Sequence, residues 1–301
     1  MLEKKMFGPF VGDLENACCP SCGGDAHASL VYKGGDGIGY YHCGICSLMF
    51  ASPRFTEESM LGIYETEGFA DMKPFVDWSY DRWKAQADRS YVTSIEKVAL
   101  VKRFVPDGSR VLDVGCAMGL FVLEAGRSGL KAEGIEPSAM LSSIAINELK
   151  VQVANCLIED FEPDGLFQGI VLWDVLEHVY DPVRVLRRCS DLLCEGGYLF
   201  IQVPHSNGLS NRFKTALCRA GLKKSGFKHF GFPWHVYSFD RKSLSLMLGK
   251  AGFQTVNFEA WSHLKKEGRS GLISTIAIRI IKRFCLSDYI VCVARKKLTE
   301  E

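Results

Sequence analysis

"VLDVGCAMGLF", residues 111–121, is an apolar run that carries one acid, Asp113, and then breaks at Gly115 and Gly119. A continuous apolar stretch of this length, closed by a turn signature, is what a strand buried on both faces needs. Apolar residues resume at Leu120 with helical spacing, so the glycines mark a tight turn from strand to helix.

The pattern continues downstream. "RVLDVG" (110–115), "KAEGIEP" (131–137), "VQVANC" (151–156), "GIVLWDVLEHV" (169–179, running into a turn), "YLFIQVP" (198–204), "QTVNFEAW" (254–261) and "DYIVCVARK" (288–296) read as strands. Between them "MGLFVLEAGRSG" (118–129), "SAMLSSIAINEL" (138–149), "DPVRVLRRCSDLLCEGG" (181–197) and "DRKSLSLMLGKAGF" (240–253) read as helices. Apolar strands alternating with amphipathic helices imply an α/β fold, a Rossmann-like doubly wound parallel sheet covered on both faces. Ligands of such sheets bind beyond the carboxyl ends of the strands, near the first.

Two nucleotide-type cofactors use a loop of this kind. A nicotinamide fingerprint is G-x-G-x-x-G, with the helix start facing a pyrophosphate. Here Asp113, Gly115, Ala117 and Gly119 give D-x-G-x-A-x-G. The acid two residues before the first glycine would repel a pyrophosphate but suits a cationic amino-acid moiety, which S-adenosylmethionine has. Glu136, at the end of the second strand, is placed to accept hydrogen bonds from both ribose hydroxyls.

At these residues the chain resembles the class I S-adenosylmethionine-dependent methyltransferases. "VLDVGCAMG" matches the first motif of that family and "GIEPS" (134–138) the second. "VLWDVLEHVYDPVRVLRRCSDLLCEGGYLFIQVP" (171–204) resembles the fourth-to-fifth-strand segment of the ubiquinone O-methyltransferase and sugar methyltransferase branches. The resemblance spans roughly residues 105–260 and departs at Ala117, where the family has a glycine. It assigns Asp113, Gly115, Cys116 and Gly119 to the methionine end of the cofactor and Glu136 to its ribose. Cys156 and Leu157 would flank the adenine, with Trp173 and Asp174 on the floor near the methyl group. Cys116 lies in a turn that meets cofactor through its backbone, so it is not read as a nucleophile.

A hydroxyl or carbon-acid acceptor needs a base, and histidine is the usual choice. His178, His205, His229 and His235 fall in suitable segments. His235, in "GFPWHVYSFDRKSL", is preferred over His205; His178 has an architectural reading as well as a catalytic one. Related sugar methyltransferases carry a His-Glu-His pattern near this point, whereas Pro233 and Trp234 precede the histidine here.

A separate module stands in front. "CPSCGG" (19–24) and "HCGICSLMF" (42–50) form two Cys-x2-Cys turns separated by twenty residues. Two such turns converge four thiolates on one zinc ion, with Cys19, Cys22, Cys43 and Cys46 as ligands and Cys18 spare. Gly23 and Gly44 follow cysteines, where a positive φ lets amides point at sulfur. "ASLVYKGGDGIGYYHC" (28–43) reads as strand, turn, strand, so the module is a zinc ribbon whose metal is structural. With four thiolates no position is left open for water. The other seven of the twelve cysteines are scattered through apolar segments as small core residues.

The expected organisation is a ribbon over 1–55, a helical linker or cap over 56–105, and a methyltransferase domain over 106–301. Helical periodicity runs through Trp83, Ala87, Tyr91, Ile95, Val98 and Val101; its aromatics read as core, with Tyr80 and Tyr91 as alternative substrate contacts. The composition is that of an ordinary globular protein, with 47% hydrophobic and 24% charged residues. No signal-like segment follows "MLEKKMFGPF" and no apolar run reaches the ~18–20 residues of a membrane span, so a cytoplasmic protein is expected. The net charge of +1 conceals an asymmetry: from His205 onward there are 18 Lys+Arg against 6 Asp+Glu. A basic third attracts anions. The insertion at 205–235, a possible lid, carries Arg212, Lys214, Arg219, Lys223, Lys224 and Lys228, which suit a diphosphate on a nucleotide-linked sugar or lipid-linked glycan. "SGLISTIAIRIIKRF" (270–284) reads as an amphipathic helix that covers the sheet or lies on an anionic membrane.

These features favour a small-molecule methyltransferase acting on a sugar or glycan intermediate over one acting on nucleic acid. An RNA methyltransferase with a ribbon for recognition is the alternative, though Trp173-Asp174-Val175-Leu176 lacks the Asn/Asp-Pro-Pro-aromatic motif of many base-amine methylating enzymes. A non-catalytic methyltransferase-like scaffold is the third reading, opposed by intact Asp113 and Glu136.

Overall fold

The structure is a computed structural model, described for residues 4–7, 10–24, 26–33, 37–64, 89–220, 222, 234–261 and 287–298. Tyr80, His229, Lys223, Lys224, Lys228 and the segment 270–284 lie outside the described residues, as does the side chain of Tyr91.

The chain begins with β1 (Lys4–Phe7), β2 (Phe10–Glu15), β3 (Ala28–Lys33), β4 (Gly39–Cys43), β5 (Met49–Ser52) and β6 (Arg54–Phe55). Helices α1 (Glu57–Tyr64) and α2 (Arg89–Val101) follow. Strands and helices then alternate: β7 (Arg110–Val114), α3 (Leu120–Arg127), β8 (Lys131–Ile135), α4 (Ala139–Asn147), β9 (Val153–Ala154), β10 (Phe167–Trp173), α5 (Pro182–Leu192) and β11 (Leu193–Pro204). The remainder supplies α6 (Leu209–Arg219), β12 (Tyr237–Ser238), α7 (Arg241–Lys250), β13 (Phe253–Trp261) and β14 (Tyr289–Lys296).

The main sheet has seven strands in the order β13-β14-β11-β10-β7-β8-β9. The pairs β10·β7, β7·β8 and β8·β9 are parallel, with Asp113 beside Gly134 on one side and Val171 on the other. The order reverses after β7, and in sheets of this kind ligands bind beyond the carboxyl end of the strand at that point. Val111, Leu112, Ile170, Val171 and Leu172 are buried, as strands covered on both faces require. Helix α3 packs Leu120, Phe121, Val122 and Ala125 inward.

The alternation follows the sequence reading, and the departures have local causes. The strand expected over 151–156 shortens to β9 because Val151 donates its N–H to the Ala145 carbonyl, 3.2 Å away, and packs its side chain with Met118, Leu120 and Leu149. The helix expected to reach Gly197 stops at Leu192. Residues 193–197 open β11 instead, where Lys296 Nζ donates to the Leu193 carbonyl and Arg295 Nε to that of Gly196. The insertion after β11 contains α6 rather than loop alone.

The chain forms two compact units: residues 1–56 with 174–186 and 201–294, and residues 57–173 with 187–200 and 295–301. The first unit contains two small sheets, ordered β1-β2-β6 and β12-β5-β4-β3. In the second of these, Ile38, Tyr40, Met49 and Ala51 form a buried cluster with Val31 and Tyr32 against it.

Candidate functional site

In the unit built around β7, the turn after the strand is fixed by shape. Gly115 and Gly119 have φ of 69° and 78°, and a Cβ on Gly119 would stand 2.8 Å from Val151 Cγ2 and 3.1 Å from Ala145 Cβ. Both backbone and space therefore demand glycine there. Ala117 takes φ 48°, so the residue that replaces a family glycine adopts the left-handed conformation a glycine would have made easy. Cys116 is buried, and its sulfur occupies the space that a Cβ on Gly134 would invade. Burial first, and the acids Asp113 and Glu136 second, push its thiol well above the ordinary range, which agrees with its reading as a non-nucleophile.

Two acids face this turn. Glu136 accepts Ala117 N–H at 2.9 Å through Oε2 and Ser138 N–H at 2.9 Å through Oε1, clasping the loop of β7 to the end of β8. Burial pushes its carboxyl up, opposed by those two bonds. Burial also raises Asp113 to about 8; Lys97 nearby works against the rise and Glu136 adds to it. Lys97, on α2, also lies 5.0 Å from the ring centre of Trp173, which packs on Phe121 at 5.8 Å. Asn155 donates to the carbonyls of Glu136 and Pro137 at 2.8 and 2.9 Å and so sets the direction of half-buried Cys156 and Leu157. A buried acid pair beside a lysine and aromatic rings can take a zwitterionic amino acid joined to a nucleoside. S-adenosylmethionine fits this donor set; a pyrophosphate against two acids does not.

In the other unit, the chain after β10 turns through Asp174, with φ 60°, whose Oδ2 accepts Gln202 Nε2–H at 2.6 Å. The turn delivers Glu177, fully buried, and His178. Because the Trp234 carbonyl can only accept, His178 Nδ1 donates to it at 2.9 Å, which leaves Nε2 with its lone pair. His178 and His235 meet edge to face with ring centres 4.7 Å apart. Burial and the neighbouring His235 pull His178 down to about 3, so it is neutral at physiological pH. Glu177, His178 and His235 bring one carboxylate oxygen and two imidazole nitrogens within 4.8 Å of one another. Such a set can relay a proton or hold a divalent cation. His205 is held elsewhere: Nδ1 donates to the Ser287 carbonyl at 3.1 Å, and its own carbonyl accepts from Asn211 at 2.8 Å.

The same unit gathers Cys19, Cys22, Cys43 and Cys46, with all four sulfurs within 4.8 Å of one another and Cys19 to Cys46 at 3.5 Å. A tetrahedral ion with Zn–S of about 2.3 Å sets sulfurs roughly 3.8 Å apart, so the residues fit zinc. Hydrogen bonding from the Cys46 thiol draws the Cys19 thiol down to about 5. Cys18 is exposed and outside the cluster. One detail of the sequence reading is corrected. Gly23 has φ 66°, as expected, but in the second turn the positive φ belongs to Ser47, at 69°, and Gly44 instead permits close approach to the His27 carbonyl.

Lys97, Asn155 and Gln202 escaped the sequence reading. Each acts across the fold on a residue distant in the chain, and only the acid it faces carries a motif.

A family model described as methyltransferase domain matches residues 84–257, more than half of the chain. A ubiquinone biosynthesis O-methyltransferase of Xanthomonas axonopodis pv. citri is 34% identical over 129 residues, 40% of this chain and 54% of that one. Another, of Albidiferax ferrireducens, is 27% identical over 142 residues, 44% and 56% of the two chains. The chain thus spans about half the length of the curated relatives it matches. Among solved structures, a methyltransferase of Thermotoga maritima described as a possible histamine N-methyltransferase shares the fold with TM-score 0.51 at 21% identity, covering 74% of this chain and 97% of that one. A magnesium protoporphyrin IX methyltransferase of Synechocystis with bound S-adenosylhomocysteine gives 0.50 at 15%, covering 76% and 96%. With that family model matching more than half of its length, the chain belongs to the methyltransferase domain family.

Proposed function

We propose that the protein is an S-adenosylmethionine-dependent methyltransferase acting on a small-molecule acceptor, with a sugar or glycan intermediate as the preferred class. The observation that carries the reading is the buried acid pair Asp113 and Glu136 at the glycine turn, which favours a cationic nucleoside over a phosphorylated one. When bound, S-adenosylmethionine supplies an activated methyl group on a sulfonium. In this reading Asp113 takes the ammonium of the donor, Lys97 its carboxylate, and Glu136 its ribose. Cys156 and Leu157 flank the base, and Trp173 and Asp174 line the floor. The backbone of Gly115, Cys116 and Gly119 completes the cradle by close approach, since their N–H groups are taken by the carbonyls of Ile135 and Cys116.

On the acceptor side, His235 takes the proton of a hydroxyl or carbon acid. His178, neutral and oriented by the Trp234 carbonyl, holds the ring of His235. The relatives named for ubiquinone biosynthesis support a small molecule as acceptor. The basic carboxyl-terminal third supports an anionic, phosphate-bearing one. The four cysteines hold a structural zinc ion.

The test is incubation of the full chain with methyl-labelled S-adenosylmethionine and separate acceptor pools: quinol precursors, nucleotide-linked sugars, lipid-linked glycans and RNA. The reading expects label in a small-molecule pool and loss of transfer in His235→Ala. Label entering RNA alone would overturn the acceptor class, and no donor turnover in any pool would favour a scaffold.

A further inference from the structure

The cysteine module and the histidine pair belong to one compact unit, and the contacts between them are specific. Strand β12 has two residues, too few to stand without a partner. Its partner is β5, with Tyr237 opposite Phe50 and Ser238 opposite Met49, and Ala51 N–H donates to the Val236 carbonyl at 3.0 Å. On the other side of the same segment, Val236 N–H donates to the Glu177 carbonyl at 2.9 Å, and His178 to that of Trp234. Residues 234–238 are thus held between a strand of the cysteine module and the turn that carries Glu177 and His178. The sheet register continues from β5 to β4, which ends at Cys43.

Arg54 locks this arrangement. Its Nε donates to Glu15 Oε1 at 2.8 Å and its Nη1 to the Tyr237 hydroxyl at 2.6 Å, while its guanidinium lies 4.2 Å over the Tyr180 ring. The Tyr237 hydroxyl donates onward to the Tyr180 carbonyl at 3.1 Å, and the Tyr180 hydroxyl returns to the Phe55 carbonyl at 2.7 Å. The circuit closes on β6 itself. It ties residues 180 and 237, each two positions from a histidine of the pair, to one half-buried arginine. A planar, forked guanidinium can make these contacts together, whereas an ammonium can supply the charge but not the fork.

We propose that the cysteine module buttresses the segment that carries His235 rather than standing as a separate docking domain, and that Arg54 is the positioning residue that sets the His178–His235 pair. The acceptor role of that pair rests on the function proposed above; the positioning does not.

The test uses the full chain, zinc-loaded and labelled on its histidine rings, with ring resonances followed by NMR and donor binding by calorimetry with S-adenosylhomocysteine. His178→Gln and His235→Gln assign the two rings. Arg54→Ala is expected to shift both and to speed loss of the His178 Nδ1 proton, Arg54→Lys to restore the wild-type positions in part, and Tyr237→Phe to shift them less. S-adenosylhomocysteine affinity is expected to stay within about twofold in the Arg54 and Tyr237 variants. Histidine rings unmoved in Tyr237→Phe and in a folded Arg54→Ala would overturn the positioning; if Arg54→Ala does not fold, Tyr237→Phe and Arg54→Lys decide. Absence of S-adenosylhomocysteine binding in the wild type would instead overturn the function reading, with the ring shifts still deciding the positioning.

Discussion

Asp113 shows how burial turns one acid into a pH-dependent ligand switch. An unfolded chain ionises aspartate near ~3.9, while the folded, ligand-free chain holds the Asp113 proton to about 8. The folded state therefore binds a proton the unfolded state has lost. The stability this group contributes is fully present below the ordinary aspartate range and is lost as pH rises toward 8. A cationic ligand needs the ionised form, so below pH 8 binding must expel the proton. The expected result is that S-adenosylhomocysteine affinity, measured by calorimetry, rises up to about tenfold per pH unit between pH 6 and 8, and that Asp113→Asn is weaker and flat. Ala117 yields a second prediction at this scale. Its left-handed conformation costs a non-glycine residue about 1–2 kcal/mol, offset in part by the about 0.4–1 kcal/mol that alanine gains by restricting the unfolded chain. Ala117→Gly should thus raise Tm by a few degrees, as calorimetric melting would show; an unchanged or lower Tm would mean the methyl group is packed to advantage.

Among the elements, those with their own periodicity were legible and those made by a partner were not. The β7 to α3 turn, the alternation to β11, and both strands of the Cys-x2-Cys module follow from local pattern. The two-residue strands β6 and β12 carry no such pattern, because their hydrogen bonds are supplied by strands distant in sequence. The site divides the same way. Asp113, Glu136 and the four cysteines sit in motifs, whereas Lys97 and Arg54 matter only through what the fold sets beside them. Helix α7 offers a test of local pattern. Asp240 Oδ1 accepts Ser243 N–H at 2.8 Å and Ser243 Oγ accepts Asp240 N–H at 2.9 Å, a reciprocal cap, and Asn207 adds a bond to the other oxygen. Asp240→Ala should cost about 1–2 kcal/mol and lower Tm by several degrees, while Asp240→Asn should lose less than half of that.

In the whole molecule, the cysteine module has only a small core of its own and shares a compact unit with residues 174–186 and 201–294. Removing the metal should therefore loosen more than the first 56 residues. Metal analysis is expected to find one zinc per chain, lost in Cys43→Ser, and chelation should speed amide exchange in 234–239 as well as in 39–52. Exchange changes confined to the module would show that the rest of the unit stands without it. The account turns on the two acids that end β7 and β8, and the most direct measurement is calorimetric titration of the full chain with S-adenosylhomocysteine and, separately, with a nicotinamide dinucleotide. We expect one S-adenosylhomocysteine per chain, affinity reduced at least tenfold in Glu136→Gln, and no heat from the dinucleotide. Dinucleotide binding at this turn, or S-adenosylhomocysteine affinity indifferent to both Asp113→Asn and Glu136→Gln, would contradict it.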